Sequence, residues 1–499
     1  MKFLPAELFF MKTFLVPVLV LIVFIIGLSV IQFVTPNLPD NDGFYHIEMA
    51  YLMRTESLKP EFIWLPLSIL NEREFSDHHF LFHVFLIPFT FGDLRTGAKV
   101  AAVLFAALAF FSVWWLLQRQ KIPYVAVWAL ALLGISDAFL YRMSVTRAQS
   151  LSLAVLVLAF VFLLENKPTL LGILSFIYIW MYDAFPLIFI FGVLYCVALF
   201  FSERRFDFVP LIYISVGLLL GMIINPYFPS NIVFSVHHMI PKLVGAGSVQ
   251  VGNEWYPYET QTLLANSWPA LSAFVIGVFA LGFSPRKIDL RTMLALLLAL
   301  LFGLMLLQAR RFVEYFPPFA LIFAAFAVTP LLDSQPDSLS AVFASPMNFF
   351  PLILLSVAIV VSIAVSIPRA REAVALSKPF GLYAGASAWL VANTPLGSRV
   401  FQTDWDDFPR LFFYNTHNTY LIGLDPTYME LYDPQLYALW IAITKGQLND
   451  PSALIATRFG SQYVHTDLSH DKFLKVASQD AGLKEVFHDG DNVVFEVLP

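Results

Sequence analysis

Long apolar runs alternate with short polar breaks along most of the chain, and that alternation sets the first expectation. A helix that crosses the hydrocarbon core needs about 20 mostly apolar residues. Runs that approach this length lie at 13–34, 98–117, 122–140, 148–164, 169–181, 184–201, 209–224, 268–283, 293–307, 312–328 and 349–367. They predict a polytopic α-helical membrane protein with about eleven transmembrane helices. The run at 80–91 is too short to cross and predicts a helix lying in the interface. After about residue 369 the charges return and the apolar positions become periodic. RVFQTD, TYLIGLD, QYVHTDL and NVVFEV read as short strands, the last following the turn signal DGDN. Residues 434–444 and 451–459 read as helices. The expected organisation is a transmembrane part over 1–368, with external loops at 35–97 and 225–267, and a small C-terminal α/β soluble domain over 369–499.

Composition supports the membrane reading. The 499 residues are 58% hydrophobic and 13% charged, with a mean hydropathy of +0.72, whereas a soluble protein carries about 25% charged residues. The 51 Phe and 10 Trp suit lipid-facing helices and interfacial belts. The net charge is −6 and no basic tract is present, which argues against a nucleic-acid partner. Cys196 is the only cysteine, so intrachain disulfides and Cys-based metal sites are excluded. The first apolar run is longer than a signal-peptide core and no small-residue cleavage site follows it, so it reads as an anchor. With Lys2 and Lys12 in the cytoplasm, the inner loops receive Arg119, Lys121, Lys167, Arg204, Arg205, Arg286, Lys287 and Arg291. The two external loops and the whole tail then share the extracytoplasmic side. A bacterial inner membrane is the expected location, from the compact loops.

The candidate chemistry crowds the first external loop, in DNDGFYH and DHHFLFH. Charge near hydrocarbon must be paired, hydrated or bound to metal. Asp42 is the candidate base or metal ligand, the alternative being that Asp40 and Asp42 form a solvated turn after Pro39. His79 and His83 are four apart and share a helix face, as metal ligands can; Asp77 and His78 complete the candidate set with Asp42. The alternative is that Asp77 caps a helix and the histidines snorkel. The acids favour Mg or Mn as the divalent cation, the imidazoles Zn. YRMSVTRAQS places Arg142, Arg147 and Gln149 on the outer side, and QARRFVEY adds Arg310 and Arg311. Cations there run against the positive-inside bias and need partners, which a lipid-linked phosphate would supply. The competing reading pairs Arg310 or Arg311 with Glu314. Asp183, in WMYDAFP, either faces the same cavity or caps the next helix. GAGSVQVGNEWYPYETQ is either a lid carrying Glu254 as a catalytic carboxylate or a solvated loop.

With these residues in place, the chain resembles the GT-C superfamily of membrane glycosyltransferases, most of all the catalytic subunits of oligosaccharyltransferases. Asp42 with FYH is similar to the first acidic motif of that family, and Glu254 in VGNEWYP falls where its flexible external loop carries an acid. GSRVFQTDWDDFPRLFFY resembles the Trp-Trp-Asp-Tyr-Gly segment that opens the family's soluble domain, with Trp405 and Asp406 matching. The resemblance implies a catalytic Asp in the first external loop and a polyprenyl-phosphate or polyprenyl-diphosphate sugar as donor. Two departures matter. The acidic pair between the third and fourth spans is absent, and Asp407 and Phe408 stand where Tyr and Gly are expected.

The expectation is therefore an inverting glycosyltransferase, of hexosyl- or oligosaccharyl-transferase type, whose acceptor is a glycan, a lipid or a different protein site. Asp42 and Glu254 would be catalytic. Arg142, Arg147, Gln149, Arg310 and Arg311 would bind the donor phosphate, and Trp405, Asp406 and Asp407 the acceptor. A transporter or flippase of a lipid-linked or anionic substrate is the first rival; it calls for polar midplane helices in paired halves, and no repeat is visible. A non-catalytic assembly subunit is the second.

Overall fold

The computed structural model describes residues 15–244, 252–284, 286–332 and 346–498, without the side chains of 239–244 and 346–352. Lys2, Lys12 and the Gly-rich residues 245–251 lie outside the described residues. The helices are α1 (Val16–Gln32), α2 (Asp42–Thr55), α3 (Phe80–Leu86), α4 (Leu94–Arg119), α5 (Val125–Leu130), α6 (Asp137–Met143) and α7 (Gln149–Leu164). There follow α8 (Pro168–Met181), α9 (Pro186–Glu203), α10 (Val209–Ile223), α11 (Ser230–Val244), α12 (Thr260–Phe283), α13 (Leu290–Gln308), α14 (Phe316–Leu332) and α15 (Pro346–Ala375). The tail adds α16 (Ala384–Asn393), α17 (Phe408–Tyr414), α18 (Thr427–Tyr432), α19 (Pro434–Thr444), α20 (Ser452–Phe459) and α21 (Asp471–Ala477). Several start on proline, as α8, α9 and α19 do, where the missing N–H costs nothing and the fixed φ suits a first turn.

The chain divides into two compact units that are not contiguous in sequence. The first comprises Met1–Pro39, Lys99–Gly221 and Asn253–Ser377. It is helical and apolar. Among the described residues, four whole helices, α4, α9, α12 and α13, and the Ile353–Ala375 part of α15 are long and apolar enough to cross a membrane. A bent pair would make a sixth crossing, against the expected count of about eleven. Other apolar helices, such as Val16–Gln32 and Phe316–Leu332, run to 10–17 residues. Outward residues such as Ile212, Val216 and Leu219 on α10, and Val275, Ile276 and Phe279 on α12, stay exposed. Apolar stripes of this kind suit hydrocarbon rather than water. Inside, α14 packs on α12 and α13, and α9 packs on α13.

The run at 122–140, expected as one span, is broken. α5 passes through a 3-10 turn, Ala131–Leu133, and the chain then bends by 82° into α6. Gly134 sits at the break with the backbone of α15 against it: a Cβ there would lie 2.7 Å from the Ile363 nitrogen. Ser366 of α15 donates to the Gly134 carbonyl at 2.9 Å, satisfying a group the break orphans. Ser136 then caps α6 by accepting from the Phe139 N–H. Hydrophobic periodicity is blind to this, because both arms are apolar.

The second unit comprises Asp40–Ala98, Met222–Gly252 and Lys378–Pro499. Its sheet has β1 (Arg399–Gln402), β2 (Thr419–Tyr420), β3 (Tyr463–Asp467), β4 (Leu483–His488) and β5 (Asn492–Val497), in the order β2-β1-β3-β5-β4. β1 pairs parallel with β2 and β3, and β5 runs antiparallel to β3 and β4. Phe401, Val464 and Phe495 from the sheet meet Trp440, Ile455, Phe459 and Phe473 from the covering helices in one core. Four strands match the sequence expectation. β4 was not anticipated: it is a polar edge strand, LKEVFH, with little alternation to read. From the first loop, α2 packs on α3 and on α17.

Gly134→Ala is expected to lower the thermal unfolding midpoint in detergent, by the equivalent of about 1–3 kcal/mol, because the methyl meets backbone that cannot rotate away. An unchanged midpoint would show that the break is not held by α15.

Candidate functional site

The first unit gathers the arginines of YRMSVTRAQS and QARRFVEY. Arg142 closes α6, Arg147 lies in the turn before α7, and Arg311 lies in a 3-10 stretch, Arg310–Glu314, between α13 and α14. A short 3-10 turn, Asn253–Trp255, brings Glu254 among them. One Glu254 oxygen lies 2.9 Å from Arg142 Nη1 and 3.1 Å from Arg147 Nη1, and the other 3.6 Å from Arg311 Nη1. Arg142 also turns Nε and Nη2 onto Glu314 Oε1, the Nε bond being 2.6 Å. Glu314 is 1% exposed, and its Oε2 makes no hydrogen bond among the described residues. The competing reading, which pairs Glu314 with Arg310 or Arg311, is not the arrangement found: Arg142 takes Glu314, from 172 residues away.

Burial pushes the Glu254 carboxyl up, but Arg142, Arg311 and Arg147 together outweigh it and hold the group well below the usual carboxylate range. A carboxylate so stabilised is a poor proton acceptor and a good counter-ion. Arg311 is further held by the Tyr182 hydroxyl at 3.0 Å and by the Trp255 ring at 4.1 Å, and Asp183 acts on it electrostatically. Arg310 turns aside to the Pro257 carbonyl at 3.1 Å and the Tyr258 ring. Gln149 begins α7, is buried, and leaves its Oε1 without a hydrogen bond among the described residues. Tyr182 and Trp255 were missed from sequence, because aromatic residues are too common here to signal a guanidinium partner.

The second unit holds the acids and imidazoles. Asp42 is the first residue of α2, and its N–H donates to Asp40 Oδ1 at 2.8 Å. Asp77 Oδ2 accepts from His83 Nδ1 at 2.7 Å, and His83 Nε2 meets His46 Nδ1 at 2.8 Å. Asp77, His83 and His46 are all buried. The rings of His79 and His78 lie alongside, and His238 of α11 meets Tyr428 of α18. Asp77, His78, His79 and His83 do not converge with Asp42 as ligands, and no three His, Cys, Asp or Glu side chains among the described residues are grouped to hold a metal. Both ring nitrogens of His83 are hydrogen-bonded, Nδ1 to Asp77 and Nε2 to His46. His79 and His83 are one turn apart as expected, His79 capping α3.

The expected acceptor segment opens the tail as a 3-10 turn, Trp405–Asp407. Trp405 packs against the tail core. Asp407 is buried, and its Oδ1 accepts from the Tyr383 hydroxyl at 2.6 Å. Asp406 Oδ2 accepts from Asn41 Nδ2 at 2.7 Å, and Arg410 Nε donates to Asn41 Oδ1 at 2.7 Å. Asn41 and Arg410 were not singled out in the sequence, although Asn41 lies inside the DND motif.

No protein-family model matches the sequence, and no curated protein matches it. Solved structures share the fold over nearly the whole chain. The archaeal oligosaccharyltransferase AglB from Archaeoglobus fulgidus, solved with an inhibitory peptide and a dolichol-phosphate, superposes with a TM-score of 0.65 at 13% identity, over 98% of this chain and 75% of that one. ArnT from Cupriavidus metallidurans, bound to undecaprenyl phosphate, gives 0.57 at 15%, over 97% and 98%. The arabinofuranosyltransferase AftD from Mycobacteria gives 0.57 at 14%, over 97% and 40%. All three are GT-C glycosyltransferases.

Burial, then Asp40 and Asp404, push the Asp406 carboxyl up to about 7, and burial pushes Glu48 on α2 up to about 8. Unfolded carboxyls titrate near about 4, so between there and neutrality the folded state binds more protons than the unfolded chain. Stability should therefore fall as pH rises through that window. In Asp406→Asn the fall should be shallower than in wild type, read as thermal midpoints across the pH range. A slope equal to wild type would show that Asp406 is not the group responsible.

Proposed function

We propose that this chain, whose fold is that of the GT-C glycosyltransferases, is an integral-membrane glycosyltransferase. It takes a sugar or glycan from a polyprenyl-phosphate or polyprenyl-diphosphate donor and passes it to a glycan, lipid or protein acceptor. The extracytoplasmic face of a bacterial inner membrane is the proposed setting, with the tail on that side. The observation that carries this reading is the Glu254 carboxylate, seated among three guanidiniums. A bay that holds one anion in this way suits the phosphate of a lipid donor, which offers more oxygens to the same donors.

The phosphate would replace Glu254 on Arg142, Arg147 and Arg311, with Arg310 and Gln149 beside them. Asp42, at the first turn of its helix, would take the proton of the acceptor nucleophile. That atom attacks the anomeric carbon from the side opposite the phosphate. The carbon–oxygen bond to phosphate breaks, its electron pair leaves with the lipid phosphate or diphosphate, and the anomeric configuration inverts. The arginines neutralise the charge that develops on the leaving group, which is where fixed donors lower a barrier most. The tail would bind the acceptor, with Trp405 on its opening turn.

Purified protein given an extract of polyprenyl-linked sugars should release lipid phosphate. Asp42→Asn should lower that release by about 10²–10⁴-fold in a folded protein; full activity in that variant removes Asp42 from the mechanism. Glu254→Gln should bind polyprenyl phosphate more tightly than wild type, since the competing anion is gone. Weaker binding would mean that Glu254 contacts the donor itself. A wild-type protein that releases no lipid phosphate from any donor in the extract overturns the reading.

A further inference from the structure

We propose that Asn41 is a positioning residue whose carboxamide, gripped by Asp406 and Arg410 of the tail, sets the first turn of α2 and so aims the Asp42 carboxylate. This rests on the role proposed for Asp42 above. An Asn at a helix N-cap ordinarily spends its side chain on the free N–H groups of the first turn. Asn41 directly precedes Asp42, already with helical φ −68° and ψ −40°, and makes no such bond. Its Nδ2 donates instead to Asp406 Oδ2 at 2.7 Å and to the Asp406 carbonyl at 3.1 Å, and its Oδ1 accepts from Arg410 Nε at 2.7 Å. These partners lie 365 and 369 residues away in the chain. The capping task passes to Asp40, whose Oδ1 accepts from the Asp42 N–H.

The partner on the tail is rigid. Arg410 is 1% exposed, and its Nη1 donates to the Pro379 carbonyl at 2.8 Å. Its guanidinium lies 4.3 Å over the ring of Phe44, two residues beyond Asp42. Phe44 is stacked on Phe380 and meets Phe413 edge-on, at 5.1 and 5.3 Å. The helix start is therefore held by an amide on one residue and a ring on the third after it. No carboxylate pairs directly with Arg410 among the described residues, so Asn41 joins a buried cation to Asp406 through one amide. Only a side chain with both a donor and an acceptor fits there: a carboxylate would face Asp406 with like charge, and an apolar residue would strand the guanidinium.

The test uses the full chain in nanodiscs, with two readouts. For Asn41→Ala, kcat for lipid-phosphate release should fall roughly tenfold to a hundredfold while the donor KM stays near wild type, because misaiming a catalytic group costs turnover rather than binding. Asn41→Asp should fall similarly. The double variant N41D/D406N should recover most of the rate, since the carboxylate at position 41 accepts from both Arg410 and the amide at position 406. A wild-type kcat in Asn41→Ala, or a double variant no better than Asn41→Asp, overturns the proposal. Hydrogen exchange of the amides at 43–46 should speed up in Asn41→Ala whether or not any sugar is transferred. Unchanged protection there overturns the clamp, whereas a wild type that releases no lipid phosphate overturns only the enzymatic reading.

Discussion

A guanidinium beside hydrocarbon must be compensated, and Arg142 shows how this protein meets that requirement. It lies against Glu314 on one side and Glu254 on the other, so three segments distant in sequence are tied at one point. Two unit charges about 4 Å apart are worth about 4 kcal/mol at an effective dielectric of about 20. Removing one partner costs more than the pair contributes, because a buried charge is left behind. The end of α6, the 3-10 stretch after α13 and the turn carrying Glu254 are therefore fixed together. The guanidiniums of Arg142, Arg147 and Arg311 are thereby held around one carboxylate, that of Glu254.

The second unit solves the same problem with hydrogen bonds. The Asp77 carboxylate accepts from His83 Nδ1, which leaves His83 Nε2 to accept from His46 Nδ1. Arg410 is likewise compensated by an amide, two backbone carbonyls and an aromatic face rather than by direct contact with a carboxylate. Buried polar groups arranged in this way specify one packing, because any slip leaves several unsatisfied at once.

The strands of the tail were legible because each combines β-branched or aromatic residues with a bounding turn signal, as NVVFEV does after DGDN. β4 was not, because an edge strand with charged positions carries little alternation. The broken helix at Gly134 was hidden for the opposite reason: the apolar run continues through it, and only the backbone of α15 shows why it bends. Among the site residues, the arginines stood out because the topology expected from sequence puts their charge against the positive-inside bias. Their partners did not, since pairing by Arg142 across 172 residues leaves no local spacing to read. The histidines invited a metal by spacing, but spacing says nothing of where each ring nitrogen points.

Sequence alone determined the membrane class, the small α/β tail, and which acids and arginines need explaining, because hydrophobic period and the cost of burying charge act residue by residue. Tertiary structure alone decided which carboxylate answers which guanidinium, that His83 lies between Asp77 and His46, and that Asn41 is held by the tail. Those are choices among partners of similar local fitness. They are settled by where the backbone brings side chains within about 3 Å of each other, a range at which hydrogen bonds discriminate and sequence separation carries no weight.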